Sequence, residues 1–237
     1  MASRGPGRVN QSKTTRRLVK FGIALVLLGV LGFLFLRSVR GARAQPYVLT
    51  QASLAPWALT TVTGARPSEP MLLWQPPAAL TSSLFGQLFK RNMESMGQPA
   101  TPGIPLMFQA EFAQAQAGRP TLTPEAVLAA AREAGLDAQP PRPLCLAHRR
   151  AAAGSSNDRE QLYFVIFEAP AFGRFRQRLA ELGHRDPATG AAAELPTALS
   201  PALILALIET QSDHWLPLQV DAKRDCVAPI AISSTGD

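Results

Sequence analysis

Gln161-Leu-Tyr-Phe-Val-Ile-Phe-Glu168 carries five consecutive β-branched or aromatic residues, Tyr163 to Phe167, with no polar position to alternate against. A strand with one wet face alternates, so an unbroken run predicts a central strand covered on both faces. Upstream, Leu144 to His148 predicts a second strand, and the small or polar residues 151–159 between the two predict a loop. Downstream, Pro170 opens a helix in which Phe172, Phe175, Leu179 and Leu182 make one apolar stripe, closed by Gly183.

Further out, the same grammar repeats. Thr123 is placed to accept a first-turn N–H, Pro124 has its φ preset at the first helical position, and Gly135 supplies a left-handed stop. Leu84, Phe85, Leu88 and Phe89 recur at helical spacing within 80–96. Residues 46–62, 71–74 and 106–108 read as extended segments, Gly97 to Pro105 as a loop, and 214–220 with 226–232 as a closing hairpin across 221–225. Pro201 to Ile208 fits a short helix or a buried strand equally. Strands with interspersed helices and no repeat of 20 to 50 residues predict a single mixed α+β domain over 46–232, with a short tail at 233–237.

The amino end is different. Phe21 to Leu36, FGIALVLLGVLGFLFL, has no polar side chain. Extended back to Leu18, with Lys20 lifting its ammonium along its own stem, the stretch is about 28 Å of helix, close to a bilayer's hydrocarbon thickness. The expectation is a basic cytoplasmic tail at 1–17, a transmembrane helix at 18–36 and a juxtamembrane linker at 37–45. Six basic residues precede the run and three follow it, which predicts a cytoplasmic N-terminus and a periplasmic domain anchored in the inner membrane. A cleaved signal peptide is the competing reading, resting on Ala42-Arg43-Ala44 and a faint twin-Arg echo at Thr15-Arg16-Arg17. The long apolar run and the arginines at 37, 40 and 43 oppose it, and both readings export the same domain.

The net charge of +7 belongs to this end. Residues 1–44 hold nine basic groups and no acidic one, leaving 15 basic against all 17 acidic residues, a formal −2, for 45–237. A nearly neutral body lacks the basic surface that binding phosphate backbones requires, so nucleic acid is not an expected partner. Twenty of the 24 basic residues are arginine, and with the abundant Ala and Pro this composition points to a GC-rich bacterial source.

Motifs for chemistry are absent. The P-loop, G-x-G-x-x-G, the G-x-S-x-G elbow, H-E-x-x-H, C-x-x-C and zinc spacings do not occur, and no cofactor or metal is expected. Cys145 and Cys226 are the only cysteines, and an oxidising compartment predicts that they pair. The rival reading, a Cys145 nucleophile assisted by His148, fails on a strand, where a three-residue offset points the side chains to opposite faces. His184 and His214 stand alone. Gly22, Gly29 and Gly32 in the span could admit a neighbouring helix or lipid. Arg174 and Arg178, one turn apart and off the Phe/Leu stripe, could meet an acidic partner or lipid headgroups, although a solvated face is the ordinary role.

No family resemblance emerges from these residues. The expected function is a non-catalytic accessory subunit of a larger bacterial membrane complex, such as a photosynthetic or respiratory assembly, touching other membrane subunits and the bilayer. The alternative is a membrane-tethered periplasmic enzyme, hydrolase-like, with a site assembled from distant residues.

Overall fold

The computed structural model describes residues 22, 23, 25–34, 45–64, 66–92, 95–150, 160–183, 199–208 and 219–234. Eight strands are β1 (Tyr47–Thr50), β2 (Ala58–Thr61), β3 (Pro70–Gln75), β4 (Ile104–Phe108), β5 (Arg142–Arg150), β6 (Gln161–Glu168), β7 (Ala202–Ile208) and β8 (Cys226–Ser233). Among them lie α1 (Ala78–Asn92), α2 (Gln109–Gly118), α3 (Pro124–Glu133), α4 (Pro170–Gly183), the single turn α5 (Ala222–Asp225) and a 3-10 turn at Gln51–Leu54. The mixed α+β class is as expected. The chain divides into two units, Met1–Gln45 and Pro46–Asp237.

In the second unit a five-stranded sheet has the order β1-β8-β5-β6-β7, and a three-stranded antiparallel sheet the order β2-β3-β4. Strand β6 is interior, antiparallel to β5 on one side and β7 on the other. Its Tyr163, Val165 and Phe167 face the main core, while Leu162, Phe164 and Ile166 join Cys145, Ala147, Ala202 and Ile204 in a second cluster. Burial on both faces is what the unbroken apolar run requires. The 201–208 segment, ambiguous by periodicity, is the strand β7, since its backbone pairs with β6 from Ala202 to Ile208.

Main-core cover comes from Leu80, Leu84 and Leu88 of α1 and from the inward stripe Phe172, Phe175 and Leu179 of α4. Trp57 lies 5.0 Å from Trp74 and meets Phe167 edge-on at 5.4 Å, so this tryptophan pair is core rather than surface. Helix α3 starts and stops where its sequence dictates. Thr123 Oγ1 accepts from Ala126 N at 3.2 Å, and Gly135, at φ +83°, lets Gly135 N reach Arg132 O and Leu136 N reach Ala131 O.

Helix α2 follows β4 directly, because Glu111 accepts the Phe108 N–H at 2.9 Å and secures the first turn. Two expectations need correction. The 97–105 segment is not all loop: Gly97 exchanges two backbone hydrogen bonds with Leu207, and Ile104 begins β4. Strand β8 finds its partners in β5, antiparallel, and β1, parallel, with α5 before it, so 221–225 is a capped helical turn rather than a simple hairpin loop. The hairpin's first arm lies mostly outside the described residues, as do His184, His214, most of 37–45, the 151–159 loop and the basic tail.

Strand β1 is an edge, and α1 closes it. Gln87 accepts from Val48 N at 2.9 Å and donates to Val48 O at 2.7 Å, so one side-chain amide replaces a neighbouring strand. Arg91 donates to Pro46 O at 2.8 Å and places its guanidinium 4.0 Å from the Tyr47 ring centre. Burial pushes the Tyr47 phenol up, an effect that the Arg91 charge partly offsets.

Candidate functional site

The first unit offers an apolar helix. Residues 22, 23 and 25–34 are helical, and its large side chains are exposed on every side, from Val30 at 50% to Leu28 at 72%. Gly22, Gly29 and Gly32 have no atom within 4 Å of a would-be Cβ, so their surfaces stand open. Among the described residues no helix is long and apolar enough to cross a membrane.

In the second unit the two cysteines form the expected disulfide, Cys145 of β5 to Cys226 of β8, with Cα atoms 5.7 Å apart across 81 residues of sequence. Beside it sits Asp225, only 5% exposed. Arg149 reaches its Oδ2 at 2.7 Å, Arg224 binds both oxygens at 2.8 and 3.0 Å, and the Asp221 N–H adds a fourth bond at 3.0 Å. The Arg224 hydrogen bonds, helped by Asp221 and Arg149, hold this carboxyl well below the usual carboxylate range despite its burial. The group is fully satisfied inside the fold, which suits a strut between β5 and α5 better than a proton-transfer residue.

His148 stacks on Tyr163 with ring centres 4.5 Å apart, and its Nε2 lies 2.9 Å from Gln161 Oε1. With Cys145 in a disulfide on the other face of the sheet, the two do not form a catalytic pair. Among the described residues no three of His, Cys, Asp and Glu converge as a metal site.

Helix α4 divides its arginines between different tasks. Arg174 donates through Nε and Nη2 to Ala134 O, at 3.2 and 2.9 Å, and so caps the last turn of α3 with a cation. Arg178 is 53% exposed and pairs with Glu181 at 2.9 Å and Glu133 at 3.6 Å. Arg176, between them in sequence, is the buried one: it binds Glu111 at 2.9 Å with 9% and 7% of the two side chains exposed. Its Nη1 also donates to Leu106 O at 3.2 Å. The only signal that could have found this pair is the N3 spacing of Glu111 after Phe108, because its partner is 65 residues away.

A cleft of about 240 Å³ opens where the two sheets meet. Leu73 and Pro70 of β3, Ile204 and Leu207 of β7, residues 62–64 and 99–101, and Gly103 line it, and Glu69 is the one charged residue among the described residues of its wall. A Cβ on Gly64 would collide with Glu69 Oε2, and one on Gly103 would come within 3.2 Å of Leu73 Cδ2. Both glycines thus hold the walls close while leaving the space between them empty. No family model, no curated protein and no solved structure matches this chain.

Proposed function

We propose that this protein is a non-catalytic accessory subunit of a larger bacterial membrane complex, anchored in the inner membrane by 18–36 with its α+β domain in the periplasm. The observation that carries the reading is the helix described at residues 22, 23 and 25–34, whose large apolar side chains are all exposed. Such a helix is stable only when lipid or protein surrounds it. The continuous apolar run from Phe21 to Leu36 and the basic residues on its flanks, six before and three after, support insertion with the N-terminus inside. The Cys145–Cys226 bond supports an oxidising compartment for the rest.

Within that reading, Gly22, Gly29 and Gly32 let a neighbouring helix approach, and Arg178, exposed on α4, meets acidic groups of a partner or lipid headgroups. Arg174 contributes by fixing α4 against α3 beneath it. Purification of the full chain from its own membranes in mild detergent tests the proposal. Co-migration with a stable larger assembly of defined chains is the expected result; a solitary monomer that turns over a substrate overturns it in favour of a tethered enzyme.

A further inference from the structure

We propose that the cleft between the sheets is a docking pocket for a lysine or arginine side chain presented by an extended segment of a partner protein. The choice of a protein partner rests on the accessory-subunit reading; the chemistry of the pocket does not. Size comes first. Pockets for whole small molecules run from about 300 to 1,000 Å³, whereas about 240 Å³ accommodates one long side chain and part of its backbone.

Chemistry selects which side chain. Val62, Leu207 and Pro99, partly exposed beside the buried Leu73 and Ile204, offer apolar wall to a methylene stem, and Glu69 offers the one charge among the described lining residues to its head. Among the described residues the Glu69 carboxylate, 29% exposed, accepts the Arg66 N–H at 3.2 Å through Oε2 and meets Arg66 Nε at 3.9 Å through Oε1. Arg66 itself is 75% exposed, so an incoming cation competes with a long, solvent-screened ion pair. Around the pocket, no hydrogen bond inside the protein engages the backbone of Thr63, Gly64, Ala100 or Thr101 among the described residues. Those groups are placed to pair with an extended chain carrying the basic residue.

The test uses the full chain in detergent with labelled Leu and Ile methyl groups. Acetyl-Ala-Ala-Lys-Ala-Ala-amide is titrated beside the same peptide with norleucine or glutamate at the centre. The lysine peptide should shift the Leu73, Ile204 and Leu207 methyls saturably, norleucine should bind about tenfold more weakly because its methyl end cannot make the charged hydrogen bond to Glu69, and glutamate should not bind because it meets a like charge. E69Q, which keeps the acceptor for the Arg66 N–H but removes the charge, should weaken the lysine peptide severalfold towards the norleucine level. T101W, from an exposed loop position, should block all binding without moving the thermal midpoint. Absence of a saturable shift, or equal binding of lysine, norleucine and glutamate, overturns the inference. A wild-type chain that co-elutes with an assembly but ignores the lysine peptide rejects the pocket alone; one that binds the peptide yet migrates alone upholds the pocket and rejects the subunit reading.

Discussion

Asp225 shows how far a single residue's role depends on neighbours that its local sequence does not reveal. Arg224 is adjacent, but Arg149 comes from 76 residues upstream and Asp221 supplies a backbone N–H only because α5 folds over it. A carboxyl whose folded pKa lies below its unfolded value of 3.8 contributes stability that is complete above about pH 4 and is lost as pH falls through the folded value. The expected outcome is that D225N unfolds at lower urea than wild type at pH 7, by about 1–3 kcal/mol, and that the gap narrows below pH 4. Equal midpoints at pH 7, or a gap that widens in acid, would contradict this account. At this scale the cysteine pairing was legible from compartment and count. The Arg176–Glu111 ion pair was not, because a position beside an apolar stripe reads the same whether a carboxylate waits there or water does.

At the scale of elements, legibility followed local physics. Thr123, Pro124 and Gly135 marked α3 correctly because capping and positive φ are decided within a few residues. Ala202 to Ile208 stayed ambiguous because a strand buried on both sides loses the period-two alternation that would separate it from a helix, and only pairing with β6 decides. Edge protection is likewise invisible in sequence: Gln87 is an ordinary polar residue of α1 until its amide is seen bonded to both backbone groups of Val48. Its removal exposes that edge. In Q87A, amide exchange at Tyr47 to Leu49 should accelerate about tenfold while β6 is unchanged, consistent with losing one to two hydrogen bonds that hold a terminal strand. Unaltered exchange in β1 would show that β8 alone secures it.

For the whole molecule, the decisive contacts join distant parts of the chain. Strand β1 enters the domain parallel to β8, so residues near its beginning and its end lie side by side, with Tyr47 opposite Ile230. No local pattern announces such a pairing. The disulfide bridges a shorter but still long span, and closing a loop of 81 residues stabilises by about 4 kcal/mol in the chain-entropy picture. On a nonreducing gel the wild-type chain should run faster than its reduced form, and C145S should abolish the difference while lowering stability by roughly that amount. Identical mobility with and without reductant would remove the bond from the account. The candidate pocket, too, was unreadable in advance, because it needs β3 and β7, 130 residues apart, before Glu69 has a wall to sit on.

Everything proposed for function depends on which side of the inner membrane residues 46–237 occupy. Protease added to intact spheroplasts, followed by detection of the domain, measures this directly. Digestion of the domain with the basic N-terminus left intact until lysis is the predicted result; a domain that survives outside protease and is cut only after lysis would contradict the topology, and with it the subunit role.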